Sequence, residues 1–141
     1  MTFIAIAVSD AEIESCYNVL KELRPHLDRK DFVKRVRHME QNGGYKLAYL
    51  IDLAKIKSVA GFRIAENLAW GKYLYVDDLV TLASERTKGY GTALFQWLVE
   101  HARLHACSQI HLDSGVQRFE THRFYANQGM GITSHHFAMR L

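Results

Sequence analysis

Seven consecutive residues, Arg86-Thr87-Lys88-Gly89-Tyr90-Gly91-Thr92, constrain this chain more than any others. A run rich in β-formers, Tyr73 to Leu82, leads into them, and a run with helical spacing, Ala93 to Ala106, leaves them. Two glycines one residue apart let the backbone turn tightly with no Cβ in the way. The first N–H groups of the helix beyond have no partner inside it. Those groups and the positive end of the helix dipole make an anion site, suited to a diphosphate. Two common phosphate loops do not match. No G-x-x-x-x-G-K-[ST] run occurs, and Gly89-Tyr90-Gly91 lacks the third glycine of G-x-G-x-x-G. The actual form is R-x-x-G-x-G, which an ordinary strand–turn–helix corner can also carry.

The chain has 141 residues, so one domain, 1–141, is the expectation. It is 48% hydrophobic, enough for a real core, and one proline with nine glycines argues against low complexity. The net charge is only +3. Lys34, Arg35 and Arg37 share a mixed helix with Asp31 and Glu40, which reads as a solvated face, so no nucleic-acid partner is expected. Cys16 and Cys107 are far apart and form no C-x-x-C, so neither zinc nor a redox pair is indicated. No apolar run approaches membrane-spanning length, and Met1 to Val8 lacks the basic start of a signal peptide. A cytoplasmic protein with free thiols and no membrane partner is expected.

Element by element, Phe3 to Val8 reads as a short strand. Ser9-Asp10 offers an N-cap with Glu12 in the first turn. Ile13, Tyr17, Leu20 and Leu23 recur at helical spacing until Pro25 stops them. A second helix spans about Arg29 to Glu40 and ends in the Asn42-Gly43-Gly44 turn. Three strands follow, Tyr45 to Ile51, Val59 to Ala65 and Lys72 to Leu82, with antiparallel neighbours the simplest arrangement. After the glycine loop come a helix from Thr92 to Ala106, a short strand from Gln109 to Asp113, a helix from Arg118 to Gln128 and a strand-like run from Ile132 to Leu141.

The resulting order, β-α-α-β-β-β-α-β-α-β, with a glycine loop after the fourth strand, resembles the GNAT acetyltransferase fold. Asp78-Leu79-Val80-Thr81 sits where that family's fourth strand runs. Arg86-x-x-Gly89-x-Gly91 is similar to the family's Q/R-x-x-G-x-G/A, and Phe124-Tyr125-x-x-x-Gly129-Met130 to its F-Y-x-x-x-G-F. The resemblance is strongest from Tyr73 to Met130. It implies a mixed α+β fold, with a central, mostly antiparallel twisted sheet of about six to seven strands and about four flanking helices. Two positions depart from the pattern: Arg118 stands where the family often has asparagine, and Thr121 where it usually has alanine.

The resemblance implies acetyl transfer from acetyl-CoA, as co-substrate, to a primary amine by direct attack in a ternary complex. The backbone from Arg86 through Thr87, Lys88, Gly89, Tyr90 and Gly91 to Thr92 would hold the pyrophosphate, and Arg118 offers a further phosphate contact. Leu79, Val80 and Thr81 would pair with the pantetheine arm like an added strand, and an N–H of this strand would donate to the thioester oxygen. The attacking amine must lose a proton, to a carboxylate or an ordered water. Asp113 is the first candidate base, or else a loop-capping aspartate; Asp78 is the second. Asp77 and Asp78 point to opposite faces of a strand, so only one faces a cleft. Tyr125 would protonate the departing thiolate; without the family spacing it reads as a core tyrosine beside Phe124. The acceptor is a small-molecule or peptide amine, and a sheet edge near the C-terminus leaves room for a homodimer. The alternative, prompted by Arg118, is a catalytically reduced acyl-CoA-binding regulatory module.

Other side chains invite weaker readings. His101 and His105 lie four apart on a helix, as metal ligands do, but no third ligand is evident, so no metal is expected. His135-His136, read in a strand, diverge to opposite faces. Tyr17, Glu22, Arg24 and His26 sit near the end of the first helix and either select the acceptor or simply finish the helix before Pro25.

Overall fold

Ser9 begins the first helix as its residue type predicts, in the computed structural model, which describes residues 2–141. Its hydroxyl accepts from the Glu12 N–H at 3.1 Å, and the Glu12 carboxylate accepts from the Ser9 N–H at 2.9 Å, a reciprocal cap. The single helix expected to follow is two: α1 (Asp10–Ser15) and α2 (Tyr17–Leu23), parted at Cys16. There the Cys16 N–H reaches back three residues, to Ile13 O, and tightens the turn. Ile13, Cys16, Tyr17, Val19 and Leu20 are all buried on either side of this break. Arg24 ends α2 just before Pro25. Asp28 then caps α3 (Arg29–Gly43), which Gly44 closes at φ +70°, a left-handed position that suits glycine.

Strands β1 (Phe3–Ile6), β2 (Lys46–Asp52), β3 (Lys55–Asn67), β4 (Gly71–Thr81) and β5 (Gln109–Leu112) form one sheet in that order. The first four are antiparallel neighbours. Alternation along them makes two apolar faces. Tyr45, Leu47, Tyr49, Val59 and Val80 pack in one core with Ile13, Cys16, Tyr17, Leu20, Phe32 and Val36 of the three helices. After β4 come a 3-10 turn (Ala83–Glu85), the glycine loop and α4 (Tyr90–Leu104), which lies along β2, β3 and β4. Its Leu94 and Leu98 are fully buried, and its Trp97 meets Phe62 edge to face, with ring centroids 6.2 Å apart.

The chain divides by its internal contacts after His111. The second unit, Leu112–Leu141, carries α5 (Phe119–Asn127), closed by Gly129 at φ +90°. The mixed α+β fold is as expected, with two differences in detail. Five helices replace four because the first one breaks. Five strands form among the described residues, because Ile132 to Leu141 makes no ladder. A strand requires a partner as well as a pattern, and Ile132, Phe137, Met139 and Leu141 all stand exposed instead. No helix among the described residues is long and apolar enough to cross a membrane.

Candidate active site

The glycine loop leaves β4 through the 3-10 turn and enters α4 with two left-handed residues, Thr87 at φ +67° and Gly89 at φ +86°. Gly89 occupies the N-cap position, and no side chain caps α4. The first helical bond runs from the Ala93 N–H to Gly89 O, so the amides of the opening turn precede the helical ladder. Space around Gly89 is open, and Arg86 to Gly89 are exposed. The loop thus presents its backbone to solvent at the start of α4.

The floor of the loop is charged and tied down. Lys57 of β3 is 5% exposed and donates to Glu85 at 2.9 Å. Lys88 donates to the other Glu85 oxygen at 2.7 Å. Lys88 and then Lys57 hold the Glu85 carboxyl below its usual range. The Lys88 ammonium therefore serves the loop's own shape. Tyr90 donates to Asp52 at 2.6 Å, which fixes the start of α4 to the end of β2 and pushes the Tyr90 hydroxyl up to about 12.

β4 outlasts its neighbour β5. Ser108 N–H bonds to Lys72 O at 2.8 Å, so β5 begins beside the start of β4. Four residues extend only about 13 Å, while β4 runs on to Thr81. Leu79, Val80 and Thr81 pair with Ala60, Val59 and Ser58 of β3 on one side. A β5 ladder cannot reach them on the other, and this stretch of β4 runs on into the 3-10 turn and the glycine loop.

Midway along β4 the ladder is irregular. Gly61 faces Asp78 and Phe62 faces Val76, so Asp77 is an extra residue, a bulge. The opposite faces expected for neighbours on a regular strand do not hold here, because the bulge interrupts the alternation: Arg63, which binds Asp77, stands on the same side of β3 as Val59 and Gly61, the side on which Asp78 meets Tyr45. Arg63 holds the Asp77 carboxylate with two bonds of 2.9 and 2.8 Å. Asp78 accepts from Arg24 Nε at 2.9 Å and from the Tyr45 hydroxyl at 2.7 Å. Burial, then the Asp78 charge, drives the Tyr45 hydroxyl well above its ordinary value. Of the four residues near the first helix's end, three thus have fixed partners: Tyr17 donates to Leu27 O at 2.7 Å, Glu22 accepts from Ala83 N–H at 2.8 Å, and Arg24 grips β4.

In the second unit, Tyr125 lies half-buried on α5. Burial raises its hydroxyl above the ordinary value, and the Arg118 charge pulls the other way. Arg118 occupies the N-cap of α5 and makes no side-chain cap. Asp113 is exposed, with His136 Nδ1 3.3 Å from one oxygen. His135 and His136 stand on backbone that is not strand, so the alternation expected of them does not apply. His101 is half-buried, sandwiched between Trp97 at 4.9 Å and His105 at 4.1 Å between ring centroids, and burial lowers its pKa. Among the described residues no three His, Cys, Asp or Glu side chains gather as a metal site would require. Cys16 and Cys107 are both unpaired thiols.

The bulge, its three fixing side chains and the Lys57–Glu85 tie were not foreseen. No local spacing encodes them: Arg24 and Asp78 are 54 residues apart in sequence. The one available signal was the adjacent pair Asp77-Asp78 in an otherwise apolar strand. Two buried-side carboxylates there demand cationic partners.

A β4 that outruns β5 and leads through a glycine loop into a helix without a side-chain cap is the feature to set beside known proteins. The model of the acetyltransferase (GNAT) family matches residues 11–130. The uncharacterized N-acetyltransferase YhdJ of Bacillus subtilis (strain 168) is 33% identical over 132 residues, covering 94% of this chain and 92% of that protein. Two solved structures share the fold. A transcriptional regulator from Bacillus halodurans C-125 superposes with a TM-score of 0.86 at 18% identity over the whole of both chains. A GNAT family acetyltransferase of Staphylococcus aureus superposes at 0.82 with 20% identity, over 99% of this chain and 98% of that one. The chain belongs to the GNAT acetyltransferase family.

Proposed function

We propose that this protein is an acetyl-CoA-dependent N-acetyltransferase that acts on a primary amine of a small molecule or peptide by direct attack. The observation that carries the reading is the open edge of Leu79–Thr81 running into the uncapped start of α4 at Gly89. The family match runs across the boundary between the two units, which supports reading the chain as one acetyltransferase domain.

Acetyl-CoA supplies a thioester that an amine can open. Backbone amides from Thr87 to Thr92 hold its pyrophosphate. Leu79, Val80 and Thr81 align its arm by main-chain bonds, and a β4 N–H donates to the carbonyl oxygen as negative charge builds there. The amine nitrogen bonds to the carbonyl carbon, and the carbon–sulfur bond breaks. Asp113, directly or through water, accepts the proton that the nitrogen sheds, and Tyr125 gives one to the leaving sulfur. A tyrosine whose pKa is raised by burial stays protonated at neutral pH, as an acid in that role must. Asp78, committed to Arg24 and Tyr45, suits a structural duty better than that of a base. Arg118 remains assigned to a phosphate contact.

The test is calorimetry with acetyl-CoA, followed by an amine-acceptor screen that monitors free thiol. Saturable binding and thiol release with at least one amine are expected. No binding at roughly a hundred micromolar, far above what a built cradle should need, rejects the reading. Binding without turnover on a broad panel would turn it into that of a binding module. A Tyr125→Phe variant is expected to lose about 100-fold in kcat, within the usual range for a general acid.

A further inference from the structure

The bulge of β4 lies within the strand to which the proposed function assigns the thioester, and it is held from outside the sheet. We propose that Arg24 is a positioning residue for acyl transfer: its guanidinium pins the bulge at Asp77–Asp78 and so sets the direction of the amides that follow. The inference rests on the acetyltransferase reading above.

A bulged residue has no partner opposite, so its carbonyl needs one from elsewhere. Asp77 O accepts from Arg24 Nη2 at 3.0 Å. The same guanidinium gives its Nε proton to the Asp78 carboxylate at 2.9 Å. One planar group thus spans a main-chain oxygen and the next residue's side chain, a fork that only arginine presents. Arg24 is itself placed with care. It is the residue that ends α2, its N–H bonded to Leu20 O at 2.8 Å, with Pro25 next in the chain. The far oxygen of Asp78 is held by Tyr45, and Asp77's carboxylate by Arg63. Gly61 is the bulge's partner across the ladder, and a Cβ there would lie 1.9 Å from the Tyr45 hydroxyl and 2.6 Å from Asp78 Oδ2. The network therefore occupies the volume that any other residue at 61 would fill. Leu79 and Val80 come directly after the pinned pair. A rotation of the Asp77–Asp78 peptides passes straight into theirs, because strand geometry leaves no flexible link between. Acyl transfer is sensitive to such rotations: donors must meet the oxygen where charge develops.

The experiment uses the full chain with Arg24→Gln and Arg24→Lys, assayed with an acceptor from the screen. Arg24→Gln is expected to lower kcat by about 30-fold or more, in keeping with the cost of small misplacements, while the dissociation constant for coenzyme A stays within about threefold. Arg24→Lys keeps the charge but cannot span both oxygens, and is expected to restore less than half of the lost rate. A purely structural tie would lower stability and coenzyme binding together and would be rescued by lysine. Unchanged kcat, or a loss of coenzyme binding equal to the loss of rate, overturns the proposal. Hydrogen exchange gives a readout that needs no turnover, and it covers a variant too unstable to assay through its milder partner. In Arg24→Lys, the amides of Asp78 to Val80 should exchange at least about tenfold faster than in the wild type, with those of β2 unchanged. Equal exchange overturns the pin even if the wild type proves to bind no acetyl-CoA, an outcome that would separately reject the parent reading.

Discussion

Glu12 carries three duties with one side chain. It closes the cap on α1 through Ser9, takes a second backbone N–H from Val8 at 3.2 Å, and accepts from Tyr49 at 2.9 Å. The Ser9 backbone bond, then Tyr49, pull its carboxyl down to about 2. A carboxylate with a depressed folded pKa contributes stability above its unfolded pKa, and that contribution fades as pH falls through the folded value. Glu12→Gln should therefore unfold at lower urea than the wild type at pH 7. The gap should shrink below about pH 4 and close near pH 2. Urea midpoints across that range check it; a gap that persists at pH 2 would assign the loss to shape and not charge. Gly61 makes a second prediction at this scale. In Gly61→Ala the added methyl collides with Tyr45, whose ring is 3% exposed and has nowhere to go. A cost of about 1–3 kcal/mol, as for an overpacked core, is expected from chemical denaturation. The cap at Ser9 was legible because caps are local chemistry. The need for glycine at 61 was not, because the obstructing atoms come from residues far along the chain.

Elements were read well where a single residue type ends them. Gly44, Gly129 and Pro25 stop their helices where glycine and proline chemistry says they should. The break at Cys16 escaped notice since Ile13, Tyr17 and Leu20 satisfy a continuous helix equally well, and the tightened turn that parts α1 from α2 leaves no mark on that spacing. The bulge in β4 was invisible for the same reason: one extra residue in an eleven-residue strand leaves its composition unchanged. The turn from strand into helix at Gly89 was legible, but the work of the loop's lysine was not. Lys88 is bonded to Glu85, so Lys88→Ala should weaken acetyl-CoA binding by less than about threefold. Gly89→Ala places a Cβ on a left-handed residue at the mouth of α4. The strain is of order 1 kcal/mol and falls on the amides that meet the phosphates, so a loss of about tenfold in affinity is expected. Calorimetry on both variants decides between a cradle made of backbone and one made of side-chain charge.

At the scale of the molecule, protection from exchange should follow the sheet. Leu50, Val59 and Leu74 are fully buried in β2, β3 and β4, each strand flanked by others on both sides. Their amides should open only with global unfolding, at a cost of about 5–15 kcal/mol for a domain of ordinary stability. The run from Ile132 to Leu141 makes the contrast. Its alternating Phe137, Met139 and Leu141 write a strand, yet Phe137 is 92% exposed and no ladder bond holds the run. Without a ladder, backbone amides exchange at nearly the rate of an unstructured peptide. Mass-spectrometric exchange at low micromolar protein should find residues 132–141 deuterated within seconds while β3 stays protected for hours. The same measurement at a hundredfold higher concentration tests the pairing that a free sheet edge at β5 would permit. Protection of 132–141 that rises with concentration would mean that a second copy supplies the missing partner, and the strand written in the sequence would then form only in the dimer.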